Sequence, residues 1–389
     1  MSANIVLPRH IRLGAGASRE LGAVLQQLEV RHPFIVTDQD MVKFGYLDTI
    51  TKGLDEAGIP YVVFPDTVPD PTVASVNKGV EALKKSDHDG VVALGGGSPM
   101  DSAKAIAHLA QHGGRMRDYK APTMSDTQGL PLVAIPTTAG TGSEATRFTV
   151  ITDEETDEKM LCPGAAFCPI AALVDYELTL TMPRRLTADT GVDTLTHAIE
   201  AYVSAKRNPF SDGMAQMTIT AVARHLRTAC NEPDNREARE AMMLAALHGG
   251  MAFSNASVCM VHGMSRPIGA FFHVPHGLSN AMLLPAVTAF SIEAAPARYA
   301  NCARFMGVAT QQDSDAAACQ KLLQELRQLN TDLGVPSPKD YGIDEQRYSE
   351  VLPTMAEQAL ASGSPGNNPR VPNTEEIIEV YKQAWDGRG

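Results

Sequence analysis

The sequence predicts a chain in two parts, an α/β unit with a parallel sheet over residues 1–183 and an all-helical unit over 184–389, on three observations. Short apolar runs alternate with helix-like stretches in the first part. Each run stops at Gly, Pro or a polar turn. Beyond Pro183-Arg184-Arg185-Leu186 the strand signals nearly vanish. In order, the strands are Pro33–Asp38, Tyr61–Phe64 (stopped by Pro65), Val91–Leu94 (stopped by Gly95-Gly96-Gly97) and Pro131–Ile135 (stopped by Pro136). They are apolar throughout rather than alternating, which fits a sheet covered on both faces. Helices are expected over Met41–Ala57, Val73–Lys85 and Ser102–Gln111. In the second part the Ala/Met/Leu-rich stretches Met214–Thr228, Ala238–Ser254 and Asp315–Leu333 read as helices. A turn-rich loop, 361–369, precedes a last helix, Thr374–Trp385. No internal repeat is present.

Composition narrows the partners. Hydrophobic residues are 44% and charged residues 20% of the 389, ordinary for a globular protein able to bury its own core. The net charge of -12 argues against a nucleic-acid partner. The six cysteines contain no CxxC and are too sparse for a disulfide framework, so free thiols in a reducing cytoplasm are expected. No apolar stretch of about 18 residues suggests a membrane span, and the first residues lack the pattern of a signal peptide.

Two loops carry the first functional signal. Gly95-Gly96-Gly97-Ser98-Pro99 follows a strand and opens a helix. Glycines admit close approach of a ligand, and the helix start offers free amides and partial positive charge, suited to a pyrophosphate. It is neither GxGxxG nor a P-loop, and alone it could be a tight turn. Pro136-Thr137-Thr138-Ala139-Gly140-Thr141-Gly142-Ser143-Glu144 ends the fourth strand with small hydroxyl residues and glycines; alone it could be a capped helix start. Ligands of open α/β sheets bind at that edge, so the pair predicts a Rossmann-like dinucleotide-binding domain. Asp38 ends the first strand. A carboxylate there accepts hydrogen bonds from a ribose 2′-hydroxyl and repels a 2′-phosphate, which points to NAD over NADP.

The second signal is a set of metal-ligand types. Asp193 and His197 are spaced i, i+4 and share one helix face. His262 and His276 can join them only through the fold. Three imidazoles and one carboxylate suit Fe(II) or Zn(II). Histidines are often structural, and His10, His32, His88, His108, His112, His225 and His248 are read so.

Together GGGSPMDSAKAIA (95–107), IPTTAGTGSEAT (135–146), TGVDTLTHAIEAYVS (190–204) and VHGMSRPIGAFFHVPHGLSNAMLLP (261–285) resemble the iron-containing (group III) alcohol dehydrogenases. Order and spacing match over nearly the whole chain, NNPR (367–370) included, with lactaldehyde/propanediol oxidoreductases the nearest branch. The resemblance implies an NAD-binding α/β domain, an all-helical metal-binding domain and an active site in the cleft between them. It implies metal ligands at Asp193, His197, His262 and His276. It implies nucleotide contacts at Asp38, Gly96, Gly97, Ser98, Thr138, Thr141 and Lys159, with Asp70 standing where relatives often carry Asn. The implied reaction interconverts a small primary alcohol or diol and its aldehyde. The metal, Fe2+ or Zn2+, polarises the oxygen while hydride moves to or from nicotinamide C4. A homodimer or larger assembly in the cytoplasm is implied as well.

One position departs from the family pattern. Many relatives place a histidine four residues after the counterpart of His262, and this chain has Arg266. A guanidinium keeps its charge and cannot shuttle protons near neutral pH. It can hold an anionic substrate group or the cofactor, or simply form a salt bridge. His273 is the alternative proton carrier, unless it only packs in its loop. Arg266 keeps open a carboxylated or polyol substrate, as in maleylacetate reductases or glycerol dehydrogenases. A non-catalytic metal or nucleotide binder is the reading from a different class.

Overall fold

An unbroken apolar strand in a globular protein must be covered on both faces. The computed structural model describes residues 2–156 and 158–387 and shows this arrangement in the unit formed by residues 4–181. Its strands are β1 (His10–Leu13), β2 (Pro33–Val36), β3 (Val62–Phe64), β4 (Gly90–Gly95), β5 (Leu132–Pro136), β6 (Phe148–Asp153), β7 (Glu158–Pro163) and β8 (Ala171–Val174). Six form a parallel sheet in the order β1-β8-β5-β4-β2-β3, and β6 and β7 form an antiparallel hairpin. The helices are α1 (Leu21–Gln27), α2 (Gln39–Lys43), α3 (Tyr46–Glu56), α4 (Val73–Leu83) and α5 (Gly97–His112).

Successive strand residues serve opposite faces. Phe34, Val36, Val91 and Ala93 pack with Val76, Met100 and Ile106 of α4 and α5. Ile35, Val92, Leu94 and Val133 pack with Leu21, Leu25, Ile50 and Leu54 of α1 and α3. Because the strands are all parallel, their carboxyl ends lie at one edge of the sheet.

Several elements differ from the sequence expectation. The helix expected over Met41–Ala57 is two helices, because Gly45 adopts a positive φ of 76° and caps α3. Helix α5 starts at Gly97 rather than Ser102. Pro99 lies in its first turn, where a missing N–H costs nothing. Strands β1 and β8 are short, and the hairpin alternates buried and half-buried residues, so neither produced a long apolar run.

From Met182 onward the second unit contains helices α6 (Arg184–Val203), α7 (Pro209–Asn231), α8 (Arg236–Ser254), α9 (Met260–Phe272), α10 (His276–Ser291), α11 (Pro296–Phe305), α12 (Asp315–Leu333), α13 (Glu345–Ala361) and α14 (Thr374–Ala384). The fold class is the expected one, an α/β unit followed by helices. Helix α6 is buried from Thr187 to Val203 except at Thr190 and packs on α7, α8 and α10. A helix buried all round is a core helix. A Cβ at Gly191 would stand 2.2 Å from Leu226 Cδ1, so this glycine sets how closely α6 and α7 approach. All six cysteines are buried free thiols.

Candidate metal centre and nucleotide loops

Helix α6 presents Asp193 and His197 one turn apart, and helices α9 and α10 bring His262 and His276 to them. One donor atom from each lies within 4.8 Å of all the others. Asp193 Oδ1 stands 3.5 Å from Nε2 of His262, 3.8 Å from that of His197 and 3.9 Å from that of His276. Four donors at metal-bond length around one centre stand about 3.4 Å apart when tetrahedral, so the donors fit a first-row divalent ion with little adjustment. The donor chemistry, three imidazole nitrogens and one carboxylate oxygen, suits iron or zinc. Asp193, His197 and His262 are nearly inaccessible, whereas the His276 side chain is 47% exposed, so the group opens on the His276 side.

Local packing explains the convergence. At the first turn of α10 a Cβ on Gly277 would meet the Asp189 carbonyl oxygen at 2.6 Å. Only glycine lets α10 come this close to α6 and deliver His276. His273 ends α9 with a left-handed φ of 54°, and its N–H donates to the Gly269 carbonyl. The chain then turns through Val274-Pro275 into α10. His273 itself is exposed and stands outside the four-donor group.

The surroundings tune the donors. The Nδ1–H of His262 donates to Glu200 Oε2 at 2.6 Å, which leaves Nε2, on the Asp193 side, as the nitrogen a metal would take. The other Glu200 oxygen accepts from the Val261 N–H at 2.6 Å. Asn280 Nδ2 donates to Asp193 Oδ1 at 2.7 Å and lies 3.2 Å from Nε2 of both His262 and His276. Burial opposes a charge on Asp193, but the three imidazoles outweigh it and hold this carboxyl well below its usual range. Burial likewise opposes a proton on His262, yet Glu200 and Asp193 raise it to about 9. His197 stacks between Phe253 and His262, with ring centroids at 4.3 and 4.6 Å. Glu200 and Asn280 were not singled out from the sequence. The available signal was spacing: Glu200 follows His197 by three residues and Asn280 follows His276 by four, each on the face of its ligand.

Arg266 lies on α9, one turn beyond His262 on the same face. It is partly buried and makes no hydrogen bond or ion pair among the described residues. Burial lowers its pKa, while the field of Glu200 raises it.

In the α/β unit the two loops meet. β4 and β5 are neighbours with Gly95 opposite Pro136, so both loops leave the same sheet edge. A Cβ on Gly96 would meet Thr138 Cγ2 at 3.3 Å, and one on Gly97 would meet Thr141 Cγ2 at 3.2 Å. The amides of Gly97 and Ser98 belong to the first turn of α5, where no intrahelical acceptor exists. Ser98 Oγ accepts from the Asp70 N–H at 3.3 Å, and Asp70 pairs with Lys159 Nζ at 2.9 Å. Asp38 follows β2, beside β4. It caps α2 by accepting from the Met41 N–H at 2.9 Å, with its second oxygen over Gly95. Burial raises its pKa. Beneath the loops the buried Lys104 ammonium shares its three N–H groups among Ser143 Oγ, Thr146 O, Thr146 Oγ1 and Phe148 O, all within 2.9 to 3.1 Å, fixing the second loop against α5.

Comparison with known proteins decides the family. Residues 8–176 match the family described as iron-containing alcohol dehydrogenase, and residues 187–385 match the C-terminal part of the Fe-containing alcohol dehydrogenase family. The chain belongs to the iron-containing alcohol dehydrogenases. It is therefore an enzyme, an oxidoreductase that interconverts alcohols and aldehydes. Among relatives of this alcohol dehydrogenase, the NAD-dependent methanol dehydrogenase of Bacillus methanolicus is 36% identical over 382 residues, 98% of this chain and 99% of its own. The lactaldehyde reductase of Escherichia coli K12 is 34% identical over 388 residues, 99% of this chain and 100% of its own. A crystal structure of 1,3-propanediol oxidoreductase superposes with a TM-score of 0.95 at 36% identity, covering 99% of this chain and 100% of that one.

Proposed function

We propose that Asp193, His197, His262 and His276 hold one divalent iron, and that Asp38, Asp70, Gly96, Gly97, Ser98, Thr138, Thr141 and Lys159 bind NAD. On this reading residues 1–183 are the nucleotide-binding domain and residues 184–389 the metal-binding domain. The substrate is a small primary alcohol or diol, or the corresponding aldehyde. The observation that carries the reading is the convergence of four donors from three helices in a pocket with one accessible side.

When bound, the metal supplies a Lewis acid for the alcohol or carbonyl oxygen, and NAD exchanges the hydride. The chain supplies placement. Glu200 fixes the His262 tautomer, and the stacking of Phe253 on His197 holds that ring in plane and helps exclude water. The first-turn amides of α5 receive the pyrophosphate. The Thr138 and Thr141 hydroxyls lie close enough to those amides to serve the same phosphates. Asp38 accepts from the ribose hydroxyls, and its charge disfavours a 2′-phosphate. Arg266 stays charged and cannot take the alcohol proton. His273 is exposed and titratable at the end of the same helix, and is the chain's candidate carrier for that proton.

The test is an alcohol and aldehyde panel on protein reconstituted with Fe(II) or Zn(II), with NAD(H) and NADP(H) in parallel. Turnover should need the metal and favour NAD(H). Equal turnover by the chelated protein would remove the metal from the reaction. Family membership also supports a homodimer or larger assembly and a cytoplasmic location; light scattering checks the first. No helix among the described residues is long and apolar enough to cross a membrane.

A further inference from the structure

Arg266 is a charged side chain that the proposed reaction does not use. Its side chain is half-buried and its nitrogens are still reached by solvent, so the guanidinium is available to an anion. Here it makes no hydrogen bond or ion pair among the described residues, although it sits on the helix that carries His262. The nearest opposing charge is Glu200, and both its oxygens are engaged, by His262 Nδ1 and the Val261 N–H. Arg266 therefore does not serve to neutralise that carboxylate.

The charge balance points the same way. A divalent ion at the four-donor group is balanced by Asp193 and Glu200, and the imidazoles that ligate it are neutral. Arg266, one turn beyond His262 on α9 and in the field of Glu200, then leaves one positive charge in excess near the ligands. Distance adds a constraint. One helical turn separates His262 from Arg266, about 6 Å along the axis, roughly the span of a two- to four-carbon chain.

Resting on the alcohol–aldehyde reading above, we propose that the substrate carries an anionic terminus, a carboxylate or sulfonate, which Arg266 grips through its planar fork of N–H donors while the reacting carbon lies beside the four-donor group. In the oxidation the carbinol C–H bond breaks, its hydride passes to nicotinamide C4, the hydroxyl proton leaves to solvent, and the anionic terminus is unchanged. NAD is the oxidant, so the step balances without a further reagent.

The test uses the metal-loaded full chain and two pairs of aldehydes, 4-oxobutanoate against butanal and 2-oxoethanesulfonate against propanal. The kcat/KM ratio of anionic to neutral aldehyde should exceed one for at least one pair, and the pair that shows it distinguishes carboxylate from sulfonate. Arg266→Gln should lower that ratio ten- to a hundred-fold, the value of a charge-assisted hydrogen bond, and Arg266→Lys should restore part of it. Calorimetry with ethanesulfonate and with propanoate, on metal-loaded and metal-free protein, should show binding that Arg266→Gln abolishes. A parent enzyme that prefers both neutral aldehydes overturns the proposal. So does an Arg266→Gln variant that slows both members of a pair equally, which is a structural role, or that raises only the KM for NADH, which assigns the guanidinium to the cofactor. In those cases turnover of neutral aldehydes leaves the alcohol dehydrogenase reading standing. Absence of turnover with every aldehyde overturns that reading and this one together.

Discussion

A buried imidazole has two nitrogens, and a metal can use only the one that carries no proton. At His262 the choice is made by Glu200, whose carboxylate takes the Nδ1 proton. Replacing Asp193 or His262 by Ala should abolish metal retention and turnover together, read by metal analysis and by NADH absorbance. Glu200→Gln should leave the fold intact by circular dichroism and weaken metal affinity by about 10- to 100-fold. Asp38→Gly should raise the use of NADP(H) and cost only roughly a few tenths of a kcal/mol of stability, because glycine is itself tolerated at the α2 N-cap that the carboxylate now serves. Unchanged kinetics with NADP would remove Asp38 from the ribose contact. Glu144 offers a pH test. Burial raises its pKa from 4.5 to about 7, and its Oε1 is buried without a partner. The folded chain thus keeps a proton that the unfolded chain releases near pH 4.5, so this group's contribution to stability falls as pH rises toward 7. Asp101, raised to about 6 chiefly by burial, acts with the same sign. Glu144→Gln should be more stable than the parent at pH 8, by of order 2 kcal/mol, and the gap should close toward pH 5 in urea titrations.

Between elements, the decisive contact is the approach of α10 to α6. Gly277 faces the Asp189 carbonyl with no room for a methyl group. Gly277→Ala should push α10 outward, cost about 1–3 kcal/mol, and loosen metal binding by moving His276 away from Asp193. A variant that lost stability but kept its metal affinity would show that α10 can shift without carrying His276. At α5 the helix start explains why Gly97 and Ser98, rather than residues nearer Ser102, present free amides to a ligand. The apolar pattern could not locate that start, because Gly-Gly-Ser-Pro reads as a turn until the first-turn tolerance for proline is taken into account.

For the whole molecule, the proposed assignment gives the metal and the nucleotide separate supports, one in each unit. Chelation should therefore raise amide exchange in α6, α9 and α10, the helices tied together by the four donors, while the parallel sheet keeps its protection. Hydrogen exchange followed by mass spectrometry reads both regions in one experiment. Loss of protection in β4 and β5 on chelation would show that the metal supports more of the chain than its own ligands.

Much was legible in the residues because it is local. The central strands are unbroken apolar runs, the two polar loops end adjacent strands, and Asp193 and His197 share a face by spacing alone. The resemblance to the alcohol dehydrogenases then rested on four motifs in order. What the chain order could not show is long-range. Glu200 and Asn280 acquire their parts only when His262 and Asp193 stand beside them, 62 and 87 residues away in the chain. Strands β1 and β8 are too short to announce themselves, and pair only because the sheet leaves them a place. Periodicity reports which face of an element is buried, but not which other element buries it. That is decided by packing, here by a glycine that lets two helices touch and a carboxylate that orients one ring.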